Sequence, residues 1–196
     1  MIRKLPASTT LMVVDVQRGF EDRRWGERNN PTAEGNIAKL LQHFRHAHWP
    51  VIHVWHDSPS PSGAFCLGGP GHEPKSEALP LSRERVYRKR VNSAFIGTSL
   101  EHDLRADGID TLVIVGLTTN HCISTTARMA GNLGFLTYVV SDATAAFERM
   151  AMDGRRRAPD EVHEGALSDL NEEFAAIVSA DSVVAAMHAA TWATTD

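Results

Sequence analysis

A carboxylate, an ammonium group and a thiol stand at three points of the sequence where predicted β-strands end. Asp15 lies near the end of the first strand, Lys89 at the end of the third, and Cys122 just after the fourth. A thiolate is a strong nucleophile toward a carbonyl carbon, a carboxylate can accept the thiol proton, and a cation stabilises either anion. These residue types favour nucleophilic catalysis if the fold brings them together.

The segment before Cys122 predicts how the thiol is presented. Residues 112–115 form an unbroken apolar run rich in β-branched side chains, typical of a central parallel strand, and Gly116 ends it. Apolar residues then recur at helical spacing, at positions 123, 127, 130 and 133. A cysteine at a helix N-terminus feels free N–H groups and the positive end of the helix dipole, which favour the thiolate. We therefore expect Cys122 to be a nucleophile.

Strand and helix patterns alternate along the chain, which predicts an α/β fold with a mainly parallel, six-stranded sheet. Ligands bind beyond the carboxyl ends of such strands, so Asp15, Lys89 and Cys122 should meet at one edge. The long loops 21–31 and 58–80 are expected to cover that edge. The predicted strands are residues 11–16, 51–55, 85–89, 112–115, 135–140 and 175–178, and the predicted helices are 33–48, 98 or 99 to 106, one from 122, 159 to about 174, and a last one capped by Asp181 or Ser182.

Composition places the chain in a broad class. With 196 residues, 42% of them hydrophobic and 22% charged, it predicts one globular domain over 1–196. A net charge of −4 argues against nucleic acid as a partner, and no segment is apolar for long enough to span a membrane. The two cysteines make no disulfide framework, and the first residues lack the apolar core of a signal peptide. We expect a cytoplasmic protein.

Each of the three residues also has an ordinary structural interpretation. An aspartate at a strand end is often a helix cap or a turn former. Lys89 lies in the basic run 88–90, where a lysine is usually a solvated charge, and a single cysteine in an apolar segment is usually a small core residue. Only their shared position at one sheet edge favours the catalytic interpretation.

Three sequence blocks carry a family resemblance: Val13-Val-Asp-Val-Gln-Arg-Gly-Phe20, Lys89-Arg-Val-Asn-Ser-Ala-Phe95 and Gly116-Leu-Thr-Thr-Asn-His-Cys122. In this order they resemble the signatures of the isochorismatase-like cysteine hydrolases, which include nicotinamidase, N-carbamoylsarcosine amidohydrolase and streptothricin hydrolase. The resemblance implies a Rossmann-like three-layer α/β/α sandwich and a homodimer or homotetramer. It also implies a catalytic triad of Asp15, Lys89 and Cys122.

The resemblance further implies the chemistry. A cis peptide at Leu117–Thr118 would aim the N–H groups of Thr118 and Cys122 at a developing oxyanion. The expected reaction on a small-molecule substrate is hydrolysis of a C–N bond in an amide, carbamoyl compound or lactam, such as that of streptothricin, through a Cys122 thioester. Two alternatives stay open: vinyl-ether hydrolysis of isochorismate, which needs no thiol, and small-molecule binding without catalysis.

Cofactors and pocket residues complete the expectations. Nicotinamidases hold a metal with an Asp-x-His pair and a further His, whereas this chain has His53-Val-Trp-His-Asp57, so we expect neither metal nor cofactor. His56 or Asp57 contacts the substrate or, less expectedly, a metal. His121 is either a pocket residue or a polar group of the helix N-terminus, and aromatic residues near the triad either line the pocket or pack in the core. The expected pocket residues are Gln17, Phe20, Trp25, His56, Phe95 and His121.

Overall fold

Six strands pair into one parallel sheet in the computed structural model, which describes residue 2 and residues 5–191. The sheet order is β3-β2-β1-β4-β5-β8, and β6 and β7 form a separate antiparallel hairpin. The strands are β1 (Thr10–Val14), β2 (Val51–His56), β3 (Arg85–Lys89), β4 (Thr111–Leu117), β5 (Leu136–Ala145), β6 (Arg149–Met150), β7 (Arg156–Arg157) and β8 (Ala176–Val178). The helices are α1 (Ala33–His46), α2 (Leu100–Ala106), α3 (Ser124–Asn132), α4 (Pro159–Ser168) and α5 (Ala180–Thr191).

Side chains of the sheet alternate between two apolar layers. Met12 and Val14 of β1 belong to the layer formed with α2, α3 and α4, whereas Leu11 and Val13 belong to the layer formed with α1 and α5. Alternation of this kind follows from the two-residue period of a strand. Helices therefore cover both faces of the sheet, and the predicted three-layer α/β sandwich is confirmed.

The chain changes direction across the sheet between β1 and β4. From β1 it proceeds outward through β2 to β3, and from β4 it proceeds the other way through β5 to β8. A crevice opens beyond the carboxyl ends of the strands at such a switch point. Asp15 directly follows β1, and Cys122 follows β4, so both lie at this crevice.

Gly116 allows β4 to approach β1 closely beside the crevice. Its φ is 128°, and a Cβ at this position would lie 1.9 Å from the carbonyl oxygen of Val14. Only a residue without a side chain fits this conformation and this distance. The glycine predicted to end the strand is in fact inside β4, where it sets the spacing of the two central strands.

Several predicted boundaries are wrong. β1 ends at Val14 rather than at residue 16, and β5 continues past residue 140 to Ala145. The helix predicted for 159–174 ends at Ser168, because the chain turns back through Glu172, which has a φ of 68°. The last helix begins at Ala180, and its cap is Ser179, whose Oγ accepts a hydrogen bond from the N–H of residue 182.

No helix among the described residues has both the length and the apolar character needed to cross a bilayer.

Candidate active site

The Lys89 ammonium lies between the Asp15 carboxylate and the Cys122 thiol. Its Nζ donates a hydrogen bond to Asp15 Oδ2 at 2.6 Å and to Cys122 Sγ at 3.3 Å. The three residues are buried, with exposed fractions of 1% for Lys89, 0% for Asp15 and 8% for Cys122. A buried charge persists when it is paired, and here each charge has its counter-charge. The structure thus brings together the three residues that the sequence placed at one sheet edge.

Asp15 has one carboxylate oxygen engaged and one without a partner. Its φ is 53°, and its N–H donates to the carbonyl oxygen of Val54 at 2.8 Å, which fixes the backbone just beyond β1. Lys89 takes Oδ2, whereas buried Oδ1 has no hydrogen-bond partner among the described residues. A buried polar atom without a partner costs free energy and is often found where a ligand or a proton completes the site. Oδ1 is therefore the atom available to accept a proton.

Cys122 lies in a π-helical turn, Thr119–Ile123, that leads into α3. Burial raises the pKa of its thiol and the Asp15 carboxylate raises it further, whereas Lys89 lowers it. The net direction is upward, although the position at a helix N-terminus by itself favours the thiolate. Desolvation and a nearby negative charge outweigh the cation and the backbone dipoles. The resting sulfur is a neutral thiol that needs a base.

His56 provides the third acceptor for the Lys89 ammonium. Lys89 Nζ lies 3.2 Å from His56 Nδ1, so each of its three N–H bonds has one acceptor. Burial lowers the pKa of His56, and the Lys89 charge lowers it further. His56 is therefore neutral and orients the ammonium through Nδ1.

A model of the Isochorismatase domain matches residues 9–182 of this chain. The chain belongs to the isochorismatase family. The isochorismatase family protein YrdC of Bacillus subtilis is 45% identical over 174 residues, covering 89% of this chain and 93% of YrdC. Ureidoacrylate amidohydrolase RutB of Methylobacterium radiotolerans is 28% identical over 206 residues, covering 86% of this chain and 75% of RutB. The solved structure of an isochorismatase-family hydrolase from Chromobacterium violaceum is 41% identical and has a TM-score of 0.92, covering 94% of this chain and 95% of that one.

The turn between β4 and the π-helical turn has the form that the isochorismatase-family resemblance implied. The Leu117–Thr118 peptide bond is cis, which confirms that expectation. Thr118 Oγ1 and His121 Nδ1 lie 3.0 Å apart, and the next hydroxyl, that of Thr119, hydrogen-bonds His163 Nδ1 at 2.8 Å. His163 comes from α4 and was missed in the sequence, where its neighbours give no sign of such a contact. This hydrogen bond connects the turn that contains Cys122 to α4.

One group of possible metal ligands occurs among the described residues of this isochorismatase-family chain. Ligand atoms of Asp15, His56 and Cys122 lie within 4.8 Å of one another. Lys89 Nζ hydrogen-bonds an atom of each of them and so fills the position that a cation would take. A divalent ion there would meet an ammonium group, so these residues do not fit a resident metal.

Asp57, the other residue considered for metal or substrate, is engaged in the protein itself. It accepts hydrogen bonds from Arg88 Nε at 2.9 and 3.1 Å and pairs with His72 Nε2 at 2.8 Å. Burial opposes the effect, but these hydrogen bonds lower the pKa of Asp57. Asp57 therefore connects the loop that contains His72 to Arg88, near the end of β3.

Two of the expected pocket residues have other positions. Gln17 is completely buried: its amide nitrogen donates to the carbonyl oxygens of His56 and His72, and its oxygen accepts from the N–H of His56. Its polar atoms are thus saturated by the main chain, and it fixes the end of β2 rather than a substrate. Phe95 packs in the core, where its ring stacks on Phe135 at 5.9 Å. For this side chain the core interpretation is the correct one.

An aromatic cluster covers the carboxyl edge of the sheet. Phe20 lies 5.3 Å from Trp25, 4.7 Å from Phe65 and 6.0 Å from Phe147, measured between ring centroids. Phe65 comes from the loop 58–80, so both long loops reach the site as expected. No sequence pattern indicates Phe65, whereas Phe147 lies just beyond the carboxyl end of β5, where the rule that ligands bind at strand ends would have found it.

A cavity of about 460 Å³ opens beside the turn that carries Cys122. Trp25 and Phe147 both line it and pack against each other with ring centroids 5.8 Å apart, and Thr118 and His121 also line it. Burial lowers the pKa of His121, with a further contribution from the charge of Arg149. Trp25 and His121 therefore line a cavity beside the turn that carries Cys122, whereas Asp15, Lys89 and Cys122 are not among its lining residues. The remaining residues that line it are Arg24, Asn120, Glu148, Arg149 and Met150.

Proposed function

We propose that this isochorismatase-family protein is a cysteine hydrolase that cleaves a C–N bond of a small amide, carbamoyl compound or lactam. The observation that carries the proposal is the contact of Lys89 Nζ with both Asp15 Oδ2 and Cys122 Sγ. A thiol, a proton acceptor and a fixed cation in one buried site are the groups that acyl transfer through a thioester requires.

In the first half-reaction, the free Oδ1 of Asp15 accepts the proton of the Cys122 thiol while the sulfur attacks the carbonyl carbon. The Lys89 ammonium stabilises the sulfur anion as it forms. The carbonyl oxygen becomes an oxyanion that the main-chain N–H groups of Thr118 and Cys122 stabilise. Loss of one such donor typically costs about 2.7–4 kcal/mol of activation free energy.

In the second half-reaction, protonated Asp15 gives its proton to the departing nitrogen as the C–N bond breaks, which leaves an acyl thioester on Cys122. Asp15 then accepts a proton from a water molecule whose oxygen attacks the thioester carbon. The thiolate leaves and recovers its proton from Asp15. One water is consumed, and an amine or ammonia and an acid are released.

The relatives support this class of reaction. RutB is named as an amidohydrolase, and its similarity extends over 86% of this chain. Vinyl-ether hydrolysis needs no thiol, so it would leave the contact between Cys122 and Lys89 without a use. The Lys89 ammonium fills the position that a cation would take, and the proposed reaction therefore proceeds without a metal.

A screen for release of ammonia or amine tests the proposal. Primary amides, carbamoyl compounds and lactams are incubated with the protein, with and without a chelator. We expect Cys122-dependent hydrolysis that the chelator does not change, with Cys122→Ala and Cys122→Ser reduced by at least about 10³-fold. Cys66→Ser, which removes the other thiol, is the matched control and should retain activity. Near wild-type amidase turnover in either Cys122 variant would remove this residue from the mechanism.

A further inference from the structure

Arg149 places a positive charge on the cavity beside Thr118 and His121. It forms no ion pair with any residue that the structure describes. Two other charged residues of the cavity do form ion pairs. Arg24 pairs with Asp22 at 2.7 Å, and Glu148 pairs with an arginine of β7. The cavity therefore carries one uncompensated cation, although the chain as a whole has a net charge of −4.

The backbone of Arg149 is fixed by the hairpin that starts beside the site. Arg149 pairs with Arg157 in the β6–β7 ladder. Just before it, the N–H of Glu148 donates to the carbonyl oxygen of Glu27 at 2.9 Å, and Phe147 forms a bridge with Arg28. The exposed guanidinium is thus attached to an ordered strand at the rim of the cavity.

The positive charge of Arg149 affects the pKa of His121, the residue directly before Cys122. Burial is the main reason that the pKa of His121 is lowered, and the positive charge of Arg149 adds to it. An electrostatic effect on His121 requires that the guanidinium be close to the inner wall of the cavity. Because Arg149 and His121 line the same cavity, a substrate group that contacts Arg149 would share that cavity with the residue directly before Cys122.

The other walls suit the body of such a molecule. The Trp25 and Phe147 rings pack against each other at 5.8 Å and give the cavity an aromatic wall, and its volume of about 460 Å³ matches a small organic molecule. An arginine without an ion-pair partner suits a carboxylate, because the planar guanidinium donates two parallel hydrogen bonds.

We infer that the substrate is an anionic amide whose carboxylate binds the Arg149 guanidinium while its scissile carbonyl faces Cys122. This inference rests on the proposed C–N hydrolysis and names its substrate class. The neutral diamide of the same size lacks the charge that Arg149 recognises and is the poorer ligand.

Binding to the Cys122→Ala protein tests the inference without turnover. The probes are 4-carbamoylbenzoate and succinamate, each compared with its neutral diamide by titration calorimetry. We expect the acids to bind more tightly than the diamides, and Arg149→Gln to weaken binding of the acids by roughly 10- to 100-fold. Arg155→Gln is the matched control, because Arg155 lies on the same hairpin connection but pairs with Glu161 outside the cavity. It should leave the affinities unchanged.

Equal affinities for acids and diamides, an unchanged affinity in the Arg149→Gln variant, or no detectable binding of either acid would overturn the inference. Hydrolysis by the wild-type chain separates it from the proposed function. If the wild-type chain hydrolyses acids and diamides with equal kcat/KM and this hydrolysis depends on Cys122, the proposed function stands and the role of Arg149 is wrong. If the acids bind through Arg149 but no Cys122-dependent hydrolysis is detected, the anion site stands and the proposed function is wrong.

Discussion

At the scale of single residues, the Asp15 carboxylate has two opposing effects on Cys122. It is the available proton acceptor, and its negative charge also raises the pKa of the thiol. Lys89 opposes the second effect without removing the first. In the proposed mechanism the thiol is therefore protonated at rest, and one substitution can separate the two effects.

Asp15→Asn should reduce C–N hydrolysis but accelerate alkylation of the thiol. Asparagine tolerates the φ of 53° at this position, so the backbone is expected to be retained. Without the carboxylate charge the pKa of Cys122 falls, more thiolate is present at pH 8, and iodoacetamide reacts faster. Turnover should fall by about 10²- to 10⁴-fold, because the general base is lost.

Intact-protein mass measured over time gives the alkylation rate, in a Cys66→Ser background so that only Cys122 is counted. A circular dichroism spectrum like that of the parent protein controls for folding. Slower alkylation in the Asp15→Asn protein than in the parent would contradict the assigned effect of Asp15 on the thiol.

At the scale of secondary-structure elements, the spacing between β1 and β4 determines where Asp15 and Cys122 stand. Gly116→Ala would place a Cβ 1.9 Å from the carbonyl oxygen of Val14 in a conformation with a φ of 128°. We expect a loss of more than about 3 kcal/mol in the free energy of unfolding, together with loss of activity.

Gly35→Ala is the matched control, since an added Cβ in this position of α1 meets no atom within 4 Å. It should raise the free energy of unfolding by about 0.5–1 kcal/mol, because alanine favours the helix more than glycine does. Urea unfolding followed by circular dichroism measures both variants. Equal stability of the two glycine variants would show that the close approach of the strands does not matter.

Periodicity predicted the sheet, its parallel strands and the meeting of Asp15, Lys89 and Cys122, because these follow from alternation and from strand ends. It did not predict features that depend on contacts distant in sequence. The saturated amide of Gln17 and the core position of Phe95 are of this kind. The thiol state of Cys122 is another, since helix position alone favours the thiolate, and only the folded site shows the burial and the adjacent carboxylate that reverse it.

At the scale of the whole molecule, four histidines, two of them buried and two half-buried, link stability to pH. Burial lowers the pKa of His53, His56, His121 and His163. In the unfolded chain histidines bind protons near pH 6.5, whereas in the folded chain these four bind them only at lower pH. As pH falls below about 6.5, the unfolded state therefore takes up more protons, and the free energy of unfolding decreases.

Buried carboxylates shift stability in the same direction at lower pH. Burial opposes the effect, but hydrogen bonds from Arg28 and Lys75 lower the pKa of Glu34 to about 2. The stability that this carboxylate contributes is present above its unfolded value, about 4.3, and is lost as pH falls toward 2. We expect the urea midpoint to fall from pH 7.5 to pH 5.0 and further at pH 4.0. An unchanged midpoint between pH 7.5 and pH 5.0 would contradict the neutral state assigned to these four histidines.

The proposed mechanism requires a covalent bond between Cys122 and the acyl part of the substrate. Rapid mixing with an amide that is turned over, an acid quench within the first turnover, and intact-protein mass spectrometry detect such a bond directly. We expect a mass increase equal to the acyl group, located on the peptide that contains Cys122 and absent from the Cys122→Ala protein. Full turnover with no adduct at any quench time, together with an active Cys122→Ala protein, would contradict it.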